Sequence, residues 1–458
     1  MQNDSTELQI GDRFPLTIKK IGINGEGIGY FKRKTTFVPG AITGEEVVCE
    51  VTEIHDTYLE ATLHKIRKKS SQRTDEFQKL AEQVGGLELS HLKYPEQLKV
   101  KQNILRQALD KYRPAGYNNY QINETIGMNH PLEYRNKAQF QVRKVDGKVI
   151  AGLYKHGTQE LVDLPEMPTQ APLTMNIINR LKPILEQLDI PIYNPEEKSG
   201  IIKTLVVRES HAFKNAQLTF ITNSKKLPKK RELIELIQQE IPEVISISQN
   251  VNQGETSLVW GEDTQLLWGE KYLQEVINGI TFNLSPRAFL QLNLQQTEKL
   301  YDIALKYLDA DESSVLYDAY SGVGTIGLTL AKHVKQVYGS EIIPEAIEDA
   351  KLNAEENSIK NADYRVGTAV DVYNELMDEH IKINTLIVDP PRTGLENDLI
   401  NLILNQQPDK FVYISCNPST LAKDLRQLTK KYIVEELQPI DMFPQTPHVE
   451  TVVKLKRK

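Results

Sequence analysis

At 458 residues the chain is longer than one hydrophobic core usually supports, and its length alone predicts about three domains. Hydrophobic residues make up 40% and charged residues 26%, which excludes a disordered or fibrous chain and fits a soluble globular one. A net charge of −7 argues against indiscriminate nucleic-acid binding but not against a locally basic surface.

The amino terminus, Met1-Gln2-Asn3-Asp4-Ser5-Thr6-Glu7, is polar, and no apolar run approaches a membrane span. No membrane association is therefore expected, and a cytoplasmic location is. From Leu8 to Ile66 short strand-like runs alternate with glycines at 22, 25, 27 and 29, which suggests a small β-barrel of the oligonucleotide-binding sort. Lys65, Arg67, Lys68, Lys69 and Arg73 then form a basic stretch. Similar clusters occur at Lys225–Arg231 and at Lys454–Lys458, and each is either solubilising charge or a phosphate contact.

Leu98, Leu105, Leu109 and Tyr112 recur at helical spacing, and Pro114 with Gly116 ends that run. Ala138–Lys144 and Val149–Tyr154 read as strands around Asp146-Gly147, a hairpin signal. Further strand-like segments at Thr204–Arg208, Gln217–Thr222 and Val244–Gln249 predict a mainly antiparallel α+β middle region. After about residue 285 strands and helices alternate, beginning with the strand Val315-Leu316-Tyr317, which predicts a parallel, doubly wound α/β sheet.

Four elements of this last region carry chemistry. Asp318-Ala319-Tyr320-Ser321-Gly322-Val323-Gly324-Thr325 follows a strand and opens a helix, where Gly322 and Gly324 let the backbone turn sharply against a ligand. Glu341 ends the next strand, placed to accept ribose hydroxyls. An NAD enzyme would show a similar pattern. Asp318 beside the glycines disfavours a pyrophosphate and favours the sulfonium of S-adenosylmethionine. Asp389-Pro390-Pro391-Arg392 and Ser415-Cys416-Asn417-Pro418 each follow an apolar strand. Their 27-residue separation suits one helical crossover, so both should open onto one crevice. His448 and Glu450, two apart on an expected strand, should project together.

With these residues in order, the chain resembles the RNA 5-methyluridine (uracil-C5) methyltransferase family of the TrmA/RumA type. The resemblance also takes in Tyr134-Arg135-Asn136-Lys137, Ser285–Asn293 and an N-terminal barrel like the TRAM domain, and so covers nearly the whole chain. It implies a TRAM RNA-binding domain over 1–68, a central α+β RNA-binding domain over 69–285 and a Rossmann-like S-adenosylmethionine-dependent catalytic domain over 286–458. It further implies Cys416 as nucleophile and Glu450 as base. Gln291, Tyr320, Gly322, Gly324, Thr325, Glu341 and Asp389 would bind the cofactor, and Phe289 and Arg392 the substrate. A monomer acting on RNA is expected, with 23S rRNA favoured over transfer RNA because the TRAM-like barrel goes more with ribosomal targets.

One departure is plain. Many relatives hold an iron–sulfur cluster on cysteines that include Cys-Gly-Gly-Cys, whereas this chain reads Val84-Gly85-Gly86-Leu87 and has two cysteines, Cys49 and Cys416. A four-thiolate cluster cannot form, and no metal is expected. A free thiol is only a few per cent ionised at neutral pH, so the pocket is expected to assist ionisation of Cys416. Rival readings are an amino-group methyltransferase acting on adenine or guanine, a non-catalytic RNA-binding assembly factor and a NAD-linked dehydrogenase. The first carries an aromatic after Asp-Pro-Pro, where this chain has Arg392, and the last leaves Cys416 and Glu450 without work.

Overall fold

The computed structural model describes residues 8–254 and 258–458, so the polar Met1–Glu7 start lies outside the described residues. Three large sheets carry the fold. The first has six strands, Arg13–Thr17, Lys20–Ile21, Gly27–Phe31, Lys34–Val38, Glu46–Ile54 and Tyr58–Lys68. Alternation sends Phe14 and Leu16 inward from the first strand and Val47, Cys49 and Val51 from the fifth. Gly29 lets the third strand approach the first, with which it is not paired: a Cβ there would lie 2.6 Å from Leu16 Cγ. The sheet thus curls around its own small core. Cys49 is fully buried in that core, and burial pushes its thiol up to about 12, so it is an inert filler.

The middle sheet has seven strands in the order Leu161–Asp163, Lys148–Tyr154, Lys137–Val145, Ile202–Glu209, Ala216–Thr222, Val244–Val251 and Asp263–Gly269. All neighbours are antiparallel except Ala216–Thr222 and Val244–Val251, between which the helix Lys230–Glu240 makes the crossover. Asp146 (φ +50°) and Gly147 (φ +81°) form the expected two-residue hairpin turn. The helix Pro172–Gln187 packs Ile177, Ile178 and Leu181 against this sheet. Val84 and Leu87 join the same core with Leu164 and Met167. Val84 and Leu87, the residues flanking Gly85-Gly86, are thus close-packed apolar core residues.

The C-terminal sheet has eight strands, ordered Ala362–Val366, Gln336–Glu341, Val315–Asp318, Thr385–Val388, Lys410–Ser415, Glu450–Arg457, Tyr432–Ile440 and Gln121–Ile122. Numbering its seven C-terminal strands along the chain gives 3-2-1-4-5-7-6, a Rossmann-like order whose direction reverses beside Val315–Asp318. The parallel, doubly wound sheet expected is present, with one antiparallel member: Glu450–Arg457 runs antiparallel to both Lys410–Ser415 and Tyr432–Ile440. A short loop joins Tyr432–Ile440 to Glu450–Arg457, so they pair as a hairpin, whereas parallel neighbours need a long crossover. The consequence is functional, because the antiparallel strand begins where its parallel neighbours end. Glu450 therefore reaches the same sheet edge as Asp389 and Cys416.

Helices cover both faces of this sheet. Leu294–Leu308 and Pro344–Glu356 lie on one side, and Ala369–Asp378, Asn397–Gln406 and Pro418–Leu428 on the other. The helix Tyr94–Tyr112 also packs here, burying Leu105, Ala108 and Leu109 against the second face. No helix among the described residues is long and apolar enough to cross a membrane.

Candidate active site

The glycine-rich turn leaves Val315–Asp318 and enters the helix Thr325–Leu330. Gly324 has φ +84°, and a Cβ there would lie 3.0 Å from Leu328 Cδ1 and 3.1 Å from the Tyr364 ring, so a side chain would be both strained and crowded. Gly324 shapes the turn and does not itself line the cavity, in contrast to the contact expected of it. Gly322 (φ +53°) does line it, with open space where a Cβ would be. Asp318 also differs from expectation. Its carboxylate is fully buried beneath the turn and accepts the Gly327 N–H at 3.1 Å, tying the helix start to the strand rather than facing a ligand.

A cavity of about 560 Å³ opens at the carboxyl ends of the parallel strands. One wall comes from the glycine turn and the following strand: Tyr320, Gly322, Thr325 and Glu341. Asp389, Arg392, Cys416 and Glu450 form another, and Phe289 and Gln291 close the side nearest the middle sheet. Except for Gly324, every residue to which the resemblance gives a catalytic, cofactor or substrate role lines this one cavity. Phe289 stands 65% exposed, a ring held up at the mouth. The backbone carbonyl of Gln291 accepts from Asn136 Nδ2 at 3.1 Å, and Leu292 O accepts the Asn136 N–H at 3.0 Å. The Tyr134–Lys137 segment thus anchors the loop that carries Phe289 and Gln291.

Asn417 fixes Cys416 relative to Arg392. Its Oδ1 accepts the Ser419 N–H at 3.0 Å, capping the helix Pro418–Leu428, while its Nδ2 donates to Arg392 O at 2.9 Å. Thr420 Oγ1 adds a second bond to that carbonyl at 3.2 Å. On the opposite side, the loop 441–448 leading into Glu450 is held by Lys101. This ammonium is fully buried and donates to the Asp441 carboxylate, to Phe443 O at 3.0 Å and to His448 O at 2.7 Å. Tyr94 donates to the other Asp441 oxygen at 2.9 Å. His448 and Glu450 do not project together as expected. The strand begins at Glu450, which is buried in the cavity, whereas His448 lies ahead of it, exposed and 3.4 Å from Arg392 Nη2.

The cavity is electrostatically strained towards negative charge. Burial pushes Asp389 up to about 7, with repulsion from Asp318 adding to it. Burial and the nearby Asp389 push Glu450 up to about 8, opposed by Arg392 and Lys101. The Cys416 thiol is pushed up to about 12 by burial, then by Glu450 and Asp389, and only Arg392 among the charged groups draws it down. The expectation that the pocket assists thiol ionisation is therefore reversed for the protein's own groups, because burial, with two acids adding to it, outweighs one guanidinium. Glu450 Oε2 is buried without a hydrogen-bond partner among the described residues. A wall holding Glu341, Asp389, Glu396 and Glu450 fits a cationic ligand and repels a pyrophosphate.

Tyr301, Thr368, Glu396 and Phe443 also line the cavity and were not anticipated. Tyr301 donates to Thr325 Oγ1 at 3.0 Å from the middle of a helix, with no motif to mark it. Phe443 had a usable signal: Asp441-Met442-Phe443-Pro444 directly follows a strand end, as the other motifs do.

The basic clusters are largely engaged within the protein. Arg73 is buried and holds the Glu45 carboxylate at 2.7 Å, Lys225 pairs with Asp263 at 2.9 Å, and Arg457 pairs with Asp409 at 2.6 Å.

Comparison with known proteins identifies the family. The tRNA (uracil-5-)-methyltransferase family model matches residues 261–458, and the TRAM domain model matches residues 7–64. An RNA methyltransferase of Lactiplantibacillus plantarum is 53% identical over 451 residues, covering 98% of this chain and 94% of its own. Another, from Listeria monocytogenes, is 49% identical over 449 residues, covering 98% of each. Among solved structures, the Pyrococcus abyssi tRNA (uracil-54, C5)-methyltransferase in complex with S-adenosyl-L-homocysteine aligns with a TM-score of 0.75 at 27% identity. That alignment covers 96% of this chain and 100% of the other. The chain belongs to the S-adenosylmethionine-dependent uracil-C5 RNA methyltransferase family, in the form that carries an N-terminal TRAM domain.

Proposed function

We propose that this enzyme methylates carbon 5 of specific uridines in 23S rRNA, with Cys416 as nucleophile and Glu450 as base. The observation that carries the reading is the convergence of Cys416, Asp389, Glu450 and Gln291 on one cavity. Gln291, Tyr320, Gly322, Thr325, Glu341 and Asp389 would hold S-adenosylmethionine, which supplies an electrophilic methyl group. Phe289 would pack on the target base, and Arg392 would contact the substrate beside Cys416. The barrel over 1–68 and the middle region over 69–285 would hold the RNA, while 286–458 performs the chemistry.

Carbon 5 of uracil is a weak nucleophile. After the thiol has lost its proton to solvent, the Cys416 thiolate bonds through Sγ to carbon 6, and the carbon 5–carbon 6 π pair moves towards the carbon 4 oxygen, leaving an enolate. Carbon 5 of the enolate would then take the cofactor's methyl group, the S–CH3 bond breaking with its electron pair left on sulfur as a neutral thioether. Glu450 removes the carbon 5 proton, the double bond re-forms, and the Sγ–carbon 6 bond breaks to release the thiolate. The thiol at about 12 and Glu450 at about 8 are both mismatched to this work at neutral pH. Asp389 and Glu450 line the cavity that would hold the cofactor, and its positive charge would favour the carboxylates and the thiolate alike, the direction both groups require.

The TRAM barrel supports a ribosomal target. A second reading, uridine 54 of transfer RNA, is supported by the full-length likeness to the Pyrococcus abyssi tRNA enzyme, whose match spans the barrel as well. Mapping 5-methyluridine in 23S rRNA and transfer RNA, from cells with and without the gene, separates them. Loss from defined 23S positions is expected. Loss from the T-loop alone supports the second reading, and unchanged 5-methyluridine in both RNAs overturns the assignment.

A further inference from the structure

A second cavity, of about 420 Å³, lies on the other side of Cys416. Cys416 and Arg392 line both cavities, so the thiol sits at the junction. Asn417, Ser419 and His448 form the catalytic side of this chamber. Its opposite side is formed by Ile23 and Asn24, from a turn of the N-terminal barrel. The barrel therefore reaches the reaction centre itself.

The turn is built to be rigid. Gly22 N–H donates to Glu26 O at 2.7 Å, Gly25 N–H to Gly22 O at 3.1 Å, and Asn24 N–H to the Glu26 carboxylate at 3.0 Å. Below it Ile21 is buried with Leu89 and Leu92, and Gln107 Nε2 donates to Ile21 O at 3.0 Å. Leu89 N–H in turn donates at 2.8 Å to Gln445 O, on the loop that leads into Glu450. The tip is thus fixed with respect to both Cys416 and the proposed base. At that tip Ile23 is 47% exposed. A lone exposed apolar residue is ordinary on a protein surface. A stiff β-branched side chain, on a buried platform, in the chamber that shares the nucleophile, is a more particular arrangement.

A uridine cannot present carbon 6 to Cys416 from within a base stack, so it must turn out, at a cost of a few kcal/mol of lost stacking. Proteins that open nucleic-acid stacks insert apolar side chains, isoleucine among them, into the gap. We propose that Ile23 is such a wedge: as the target uridine enters the Cys416 cavity, Ile23 fills the place it leaves and holds the neighbouring bases apart. The proposal rests on the uracil-C5 reading above.

The test compares wild type with Ile23→Ala and Ile23→Leu on two RNAs: a stem–loop transcript carrying the mapped uridine, and an unpaired nine-mer of the same central sequence. S-adenosylmethionine affinity is measured alongside as a check on folding. Ile23→Ala should lower kcat/KM on the stem–loop by about 10- to 100-fold. That loss should exceed its loss on the nine-mer at least tenfold, and Ile23→Leu should recover most of it. Equal losses on both RNAs would mean that Ile23 merely covers the thiol, and no loss on the stem–loop would mean that it does not touch the RNA stack. Either result overturns the wedge. If wild type forms no 5-methyluridine on either RNA, the underlying reading fails instead.

Discussion

Replacing Lys101 by Met keeps an unbranched side chain, one atom shorter, but removes its charge and all three hydrogen bonds. The ammonium is fully buried, and its acceptors are the Asp441 carboxylate and two carbonyls of the loop that carries Phe443 and leads into Glu450. The variant leaves Asp441 as a buried anion held by Tyr94 alone. Breaking a buried pair by removing one partner costs about 3–5 kcal/mol, well above the ~1 kcal/mol of a surface pair. Lys101→Met should therefore lose about that much in urea unfolding. Adding Asp441→Asn removes the stranded charge and should restore more than about 1 kcal/mol, a coupling expected only of groups in contact. Function should separate in the same way. The wall from Tyr320 to Glu341 is untouched, so S-adenosylmethionine binding should persist at a temperature where both proteins are folded, while methyl transfer falls as Glu450 loses its placement. A Lys101→Met protein within about 1 kcal/mol of wild type, with unchanged kcat, refutes the claim that this pair holds the catalytic loop.

Three further outcomes follow from the geometry. Asp389 and Glu450 bind protons more tightly in the folded protein, near 7 and 8, than the 3.8 and 4.5 of free carboxylates. Their contribution to stability therefore falls as pH rises from about 4 towards 8, because only the unfolded chain has released these protons. Calorimetric unfolding of the ligand-free enzyme across that range should show it. S-adenosylmethionine binding should release protons and tighten as pH rises through 7–8, and the neutral thioether S-adenosylhomocysteine should show less of both. Affinity for the two ligands with the same pH slope would count against the acid wall as a sulfonium site. Gly324→Ala should destabilise by about 1–3 kcal/mol, since its φ of +84° is strained for alanine and the new methyl would meet Leu328 and Tyr364 at 3.0–3.1 Å. Thermal unfolding equal to wild type would show that the turn relaxes freely.

The glycine turn, Asp389 and Cys416 could be read in the sequence because each directly follows an apolar strand. The strands before Asp389 and Cys416 announce where the chain emerges from a buried sheet, and ligands in such sheets bind at those ends. Side chains arriving from helices carry no comparable mark. Tyr301 lies within an ordinary amphipathic helix, and its bond to Thr325 depends on how that helix packs. Lys101 and Asp441 are 340 residues apart, and nothing local tells a buried lysine from the many solvated ones. The antiparallel placement of Glu450 was likewise hidden, because strand propensity is indifferent to direction. Arg73 shows the converse error, a charge that reads as part of a basic surface and instead closes a buried pair with Glu45. At Gly22–Gly27 the glycines marked a turn correctly, but that its tip faces Cys416 follows from docking of the barrel on the helix Tyr94–Tyr112.

The central claim is that the Cys416 thiolate adds to carbon 6 of a uracil in RNA. RNA containing 5-fluorouridine has no carbon 5 proton to lose, so once methyl transfer has occurred the Sγ–carbon 6 bond cannot be released. Incubating the enzyme with this RNA and S-adenosylmethionine should give a denaturation-resistant 1:1 complex. Mass spectrometry should place the nucleotide on the peptide containing Cys416, and Cys416→Ala should give none. With unmodified RNA, Glu450→Gln should accumulate the corresponding adduct. Attachment at Cys49, or 5-methyluridine formed with no trapped complex on the fluorinated RNA, would contradict the mechanism.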